Sequence, residues 1–179
     1  MLVPGPWQCH ATVTEPDLTR FRLAWRRERA AGEPDQLVSV VMYNPAREGE
    51  PVQGGVRDGA THRRVRALLN WATEIRVVNL SPVRTTKPVL ARSYDLTVEY
   101  ADQDQDEAIR WACEAPVVVV AWGAGARTPR MERCRRLVLD LAGERLHCWG
   151  LTGGGEPMHP SPLGRIPPGA PLVRYAPKG

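Results

Sequence analysis

The chain has 179 residues, enough for one domain with a real core, and carries a formal net charge of +4 with a pI near 9.1. No apolar run approaches the roughly 20 residues of a membrane span, and the N-terminus MLVPGPWQCHA lacks the basic-then-apolar order of a secretory signal. Cys9, Cys113, Cys134 and Cys148 are scattered with no C-x-x-C pair, which sets aside a zinc ribbon or a disulfide scaffold and points to a cytoplasmic protein with reduced thiols.

Residues 1–18 hold Pro4, Pro6 and Pro16 and little periodicity, which predicts an irregular arm before a single domain over 19–179. Phe21, Leu23 and Trp25 alternate with Arg20, Arg22, Ala24 and Arg26, the pattern of a half-buried edge strand. After the turn at Gly32, Glu33 and Pro34, Leu37 to Met42 is an apolar, β-branched run suited to a strand buried on both faces. Joined this closely, the two strands are expected to pair antiparallel. Pro45 ends the run, because proline offers no ladder donor. Arg47 to Gly59, rich in glycine and polar residues, reads as an irregular loop beside a strand end, where function often sits.

Thr61 is placed to cap a helix running to about Trp71, with Val65, Leu68, Leu69 and Ala72 on one face. Ile75 to Leu80 is a second buried strand, closed by Ser81 and Pro82. RTTKP (84–88) reads as a loop, and Tyr94 to Tyr100 alternates weakly, as in an excursion from the sheet. Asp104 to Cys113 is a helix with acidic residues in its first turn, which suits the helix dipole. Pro116 to Trp122 is the strongest strand in the chain. Pro129 to Leu141 is an Arg-rich helix ended by Gly143. Leu146 to Trp149 is a fourth short strand, and Pro171 to Tyr175 an apolar run in a proline-rich tail.

Strands alternating with helices call for an α/β three-layer sandwich. The expectation is a mainly parallel four-stranded central sheet flanked by helices, plus an N-terminal antiparallel edge strand. In such sheets ligands sit beyond the carboxyl ends of the strands. Four ends would then converge: Tyr43–Asn44–Pro45, Asn79 to Pro82, Trp122 to Gly125, and the segment holding His159 and Ser161. Asn44 reads either as a site amide or as an ordinary Asn-Pro turn, and Asn79 either as a site amide or as a loop cap. His10, His62, His147 and His159 lack metal-ligand spacing, so no metal is expected. No P-loop, dinucleotide fingerprint or nucleophile elbow is present. Apart from Lys87 and Lys178, every basic side chain is arginine, whose planar fork suits phosphate. The charge therefore permits a nucleic-acid partner.

Two resemblances follow from these stretches. TRFRLAWRRE, VVMYNPA, THRRV, RVVNLSPVRTTKP, VVVVAWGAGA, LHCWGLTGGGEPMHP and APLVRY are similar to a bacterial and phage family, domain of unknown function 1643, over about residues 19 to 175. More distantly, the order of motifs resembles the uracil-DNA glycosylase superfamily: Met42–Tyr43–Asn44–Pro45 after a buried strand, Asn79 in VVNLSP, the strand and glycine of VVVVAWGAGA, and His159–Pro160–Ser161–Pro162–Leu163. This second resemblance implies a nucleobase N-glycosidase that excises a damaged or modified base. Asn44 and His159 would be catalytic, the amide positioning a water and the imidazole donating to the base carbonyl. Asn79, Tyr43 and Thr61 would bind the base. Ser161, Arg165, Arg63, Arg64, Ser81 and Arg84 would hold phosphates. The expected partner is nucleic acid, DNA ahead of RNA, or a nucleotide; the protein is expected to be a monomer with no cofactor and no membrane association. Met42 stands where the superfamily has glycine, and Ala46 where glycine is common. The loop after the first motif offers no aromatic ring except His62. Cys9 has no close companion, so no iron–sulfur cluster is expected. The alternatives are a non-catalytic nucleic-acid or nucleotide-binding module on the same fold, and a hydrolase of free nucleotides or nucleosides.

Overall fold

The computed structural model describes residues 7–12, 22–45, 51–52, 55–56, 59–97, 101–125, 127–161 and 166–177. Its strands are β1 (Trp7–Thr12), β2 (Arg22–Arg27), β3 (Leu37–Met42), β4 (Pro51–Val52), β5 (Gly55–Val56), β6 (Glu74–Asn79), β7 (Val117–Val120), β8 (Leu146–Cys148) and β9 (Val173–Arg174). The helices are α1 (Ala60–Leu68), α2 (Pro88–Thr97), α3 (Asp102–Cys113) and α4 (Pro129–Ala142).

β3 has no face left for water: Val38, Ser39, Val40 and Val41 are all fully buried, as the unbroken apolar run requires. It pairs parallel with β6 on one side and β7 on the other, and β7 pairs parallel with β8. Antiparallel strands extend both flanks, β2 then β1 beyond β6, and β9 beyond β8. The result is a mixed α/β fold on a seven-stranded sheet in the order β1-β2-β6-β3-β7-β8-β9. The sheet is thus larger than the four strands and one edge expected from the sequence.

Helices cover both faces of the sheet. On one face Val38, Val40, Ile75, Val77 and Val119 pack with Val65 and Leu68 of α1. On the other, Val41, Val78, Val118 and Val120 pack with Ala108, Ile109 and Ala112 of α3 and with Met131, Cys134 and Val138 of α4. This alternation along each strand follows from the two-residue period of side-chain direction.

Several local expectations change. β2 and β3, though close in sequence, do not pair; β6 lies between them. β2 is also not an edge, since β1 forms from the stretch expected to be irregular, and Leu23, Ala24 and Trp25 are consecutively buried. What fixes β2 is its end: Arg27 donates from Nε to Ala72 O (2.9 Å) and pairs with Glu33. In the glycine-rich loop, Pro51–Val52 and Gly55–Val56 form a small antiparallel pair. Of the weakly alternating stretch Tyr94 to Tyr100, residues 94–97 belong to helix α2 and 98–100 lie outside the described residues; Ala91 and Asp95, one turn apart, both face inward, and Asp95 accepts a hydrogen bond from Thr128 Oγ1. Thr128 in turn caps α4, accepting from Met131 N. Tertiary contact outweighs local strand propensity there.

Candidate functional site

Because β6, β3, β7 and β8 run parallel, their carboxyl ends share one edge, and a cavity of about 420 Å³ opens beyond β3 and β7. Met42, Tyr43 and Asn44 form the β3 side of its wall, Trp122 to Gly125 the β7 side. α1 brings Thr61 and His62, the 84–87 turn brings Thr85 and Thr86, and the segment after β8 brings His159 and Ser161. Among the described residues, no Asp, Glu, Lys or Arg lines it.

Asn44 is held rather than loose. Its Nδ2 donates to Thr85 O at 2.6 Å and to Pro45 O at 3.0 Å, while Thr85 N donates back to Pro45 O at 2.9 Å. Two carbonyl partners can be served only by the NH2 group, so the amide orientation is fixed and Oδ1 is left as an acceptor. Pro45 therefore does more than end a strand: its carbonyl helps knit the cavity wall.

His159 arrives on a hairpin-like return. Met158 N donates to Gly150 O (2.9 Å), Thr152 N to Glu156 O (2.7 Å), and Gly123 N to Pro157 O (2.9 Å). The Gly153–Gly154–Gly155 run is thus a turn, with Gly155 in the left-handed region at φ 82°. A Cβ on Gly123 would lie 3.3 Å from His159 Cβ, and Gly123 itself has φ 74°. Burial pushes the His159 imidazole down to about 4, so it is neutral at physiological pH. A neutral imidazole donates a hydrogen bond without giving up a proton.

The aromatic walls are equally constrained. Tyr43, 4% exposed, fills the space beside Gly125, whose added Cβ would sit 2.9 Å from Tyr43 Cε2. Trp122 Nε1 donates to Glu156 Oε2 (2.8 Å), and its ring meets Tyr175 edge-on. Arg127 bridges Glu156 (2.8 Å) and Glu132 (2.9 Å). For Glu156, burial alone would raise its pKa, but hydrogen bonds from Arg127 and Trp122 prevail and hold the carboxyl below its usual range. His62 packs edge-on against Trp25, over which the Arg66 guanidinium stacks at 4.0 Å.

The residues singled out in the sequence divide into two groups. Asn44, His159, Tyr43, Thr61 and Ser161 meet at the cavity. Thr61 does so from inside the first turn of α1, whose N-cap is Gly59, not Thr61. Asn79 ends β6 at 2% exposure and does not line the cavity; its carbonyl accepts from Gln105 Nε2 at 2.5 Å. Ser81 is fully buried, with Oγ accepting from Val83 N (3.3 Å) and its own N–H donating to Tyr43 O (3.1 Å). That makes Ser81 a turn residue. Arg64 donates to Ile166 O, Arg63 is exposed on α1, and Arg84 is half-buried beside Thr85. Arg165 and Ala46 lie outside the described residues.

His62, Thr85 and Thr86 were not legible as site residues. Helical spacing from Val65 could have put His62 on the buried face, but nothing local marks the RTTKP turn as a wall. Among the described residues there is no group of three or more His, Cys, Asp or Glu able to hold a metal, and no helix is long and apolar enough to cross a membrane. A family model described as "Protein of unknown function (DUF1643)" matches residues 20–161, a span that contains every described residue of the cavity lining. No curated protein and no solved structure matches the chain.

Proposed function

The chain belongs to the DUF1643 family, and from its cavity we propose a nucleobase N-glycosidase of the uracil-DNA glycosylase type, a metal-independent cytoplasmic enzyme that excises a damaged or modified base from nucleic acid. The observation that carries this reading is that His159, whose imidazole burial holds neutral, and the fixed acceptor of Asn44 face one aromatic-walled cavity.

The chemistry suits that inventory. When the bond between C1′ and the base nitrogen breaks, its electron pair leaves with the base, and the sugar gains oxocarbenium character. His159 donates a hydrogen bond to the base carbonyl where negative charge collects. Asn44 Oδ1 accepts from a water and holds it for C1′. The water oxygen bonds to C1′, and the proton it sheds ends on the departing base or in solvent. Tyr43 and Trp122 supply the apolar surface that a flipped, planar base requires. The parallel neighbours β6, β3, β7 and β8 support the superfamily likeness, since they gather the motif-bearing ends on one edge.

Incubation with oligonucleotides carrying uracil, hypoxanthine or phage-type modified bases, single- and double-stranded, should leave abasic sites detectable by alkaline cleavage. No abasic product on any of them overturns the catalytic reading. That none of the described lining residues is Lys or Arg favours a second reading, hydrolysis of free nucleosides or nucleotides. Base released from monomers but not from polymers would select it. That none of the described lining residues is a carboxylate favours a third, a non-catalytic binding module. Salt-sensitive binding that survives Asn44→Ala and His159→Ala without turnover would select that one.

A further inference from the structure

Met42 and Asn79 are register partners in the parallel β3–β6 pair, so their side chains leave the same face of the sheet. That face carries Val38 and Val40 of β3 and Ile75 and Val77 of β6, packed beneath α1, the helix that delivers Thr61 and His62 to the cavity. Met42 lines the cavity; Asn79, one strand further out, does not. Yet Asn79 Oδ1 is buried and has no hydrogen-bond partner among the described residues. A buried acceptor without a donor is uncommon enough to need a cause. Here the row across the sheet offers one, because β3, whose Met42 lines the cavity, lies between the strand of Asn79 and β7.

We propose that Met42 is the specificity-determining residue of the cavity, screening the Asn79 acceptor from the bound base. The proposal rests on the reading that the cavity takes a nucleobase. With Met42 in place, the ring N–H of an imide-type base such as uracil finds no partner at Asn79, and the cavity favours bases that do not present that donor there. With the side chain shortened, the cavity extends to Asn79, and an imide N–H gains an acceptor that desolvation has left unanswered. Methionine suits a screening role because its unbranched, flexible side chain fills an irregular gap without a polar group of its own.

The test compares the wild-type chain with Met42→Ala, Met42→Leu, Asn79→Leu and the Met42→Ala/Asn79→Leu double variant. Each is titrated calorimetrically with uracil and with 3-methyluracil, in which the imide N–H is replaced by a methyl group. Met42→Ala should bind uracil at least 10-fold tighter than wild type, and Met42→Leu should not. The gain should vanish with 3-methyluracil and in the double variant. A gain that survives either control shows only added room and overturns the proposal, as does a Met42→Ala protein that gains less than about 3-fold or binds neither compound. Should Met42→Ala fail to fold, Met42→Val carries the same comparison. The glycosidase reading is judged apart from this: binding gained without wild-type abasic product sinks that reading alone, and wild-type turnover without the gain sinks this proposal alone.

Discussion

At the scale of single residues, Asn44 and His159 make opposite demands on the cavity. Asn44 Nδ2 serves the carbonyls of Thr85 and Pro45, so a carboxylate cannot replace it without setting oxygen against oxygen. Although a carboxylate is the stronger water-activating group, Asn44→Asp is expected to lower turnover. Two lost hydrogen bonds at about 1 kcal/mol each translate to a Tm lower by about 4–8 °C, readable by calorimetry; a faster, equally stable Asp variant would contradict the geometry. For His159 the issue is charge. Desolvation pushes the half-buried imidazole down to about 4, whereas in an unfolded chain it would titrate near the ordinary 6.5. As pH falls from 6.5 towards 4, the unfolded state takes up a proton that the folded state refuses, so stability declines across that window and is constant above it. NMR of the His159 ring should give a midpoint near 4, and His159→Gln should remove part of the acid-side loss. A midpoint above about 7 would leave the imidazole largely cationic and rule out a neutral donor. Removing the donor with His159→Ala should cut the rate about 10²–10³-fold, as for other groups that face a developing anion.

At the scale of elements, the cavity depends on turns shaped by glycine next to aromatic rings. Gly125→Ala places a methyl 2.9 Å from the Tyr43 ring, and an overpacked contact of this kind costs about 1–3 kcal/mol. In a Tyr43→Leu background the same substitution should cost less than half as much, and a double-mutant cycle read by denaturant melts measures the difference. Additive costs would show that ring and glycine are not in register. Regular elements with one strong signal were legible in the sequence: β3, β6 and β7 from their apolar runs, α3 and α4 from their periodicity. The unread parts depended on distant partners. β1 exists because β2 offers it a ladder, and α2 is helical because Asp95 reaches Thr128. Neither partner is visible from the local window. The candidate site was legible in the same way: Asn44 and His159 stood out through their motifs, whereas Thr85 and His62 joined only through the fold.

At the scale of the whole molecule, the parallel order was foreseeable because helices separate β3, β6, β7 and β8, and a parallel crossover needs such a length. The intrusion of β6 between β2 and β3 was not, since chain proximity favours hairpins and says nothing of what a central strand must bury. Charge was the least legible property, because arginine content does not reveal pairing. On α4, Arg130 and Arg133 meet Asp102, Arg133 also meets Asp106, and Arg135 and Arg136 meet Glu132. The helix most basic in sequence is therefore largely self-neutralised across the α3–α4 groove. Each such surface pair is worth only about 0–1 kcal/mol, but together they cancel the local field that would draw a polyanion. Arg63 and Arg84 stand elsewhere, on the helix and the turn that also carry the cavity-lining Thr61 and Thr85. If a nucleic-acid strand crosses the cavity mouth, phosphates should meet those two and not α4. Binding of a single-stranded oligonucleotide measured from 50 to 300 mM salt gives a log–log slope that falls by about 0.7 for each phosphate contact removed. Arg63→Gln and Arg84→Gln should each flatten the slope by about that amount, while Arg133→Gln and Arg136→Gln leave it unchanged. A slope that responds to the α4 substitutions instead would move the nucleic-acid path to the α3–α4 face and detach it from the cavity.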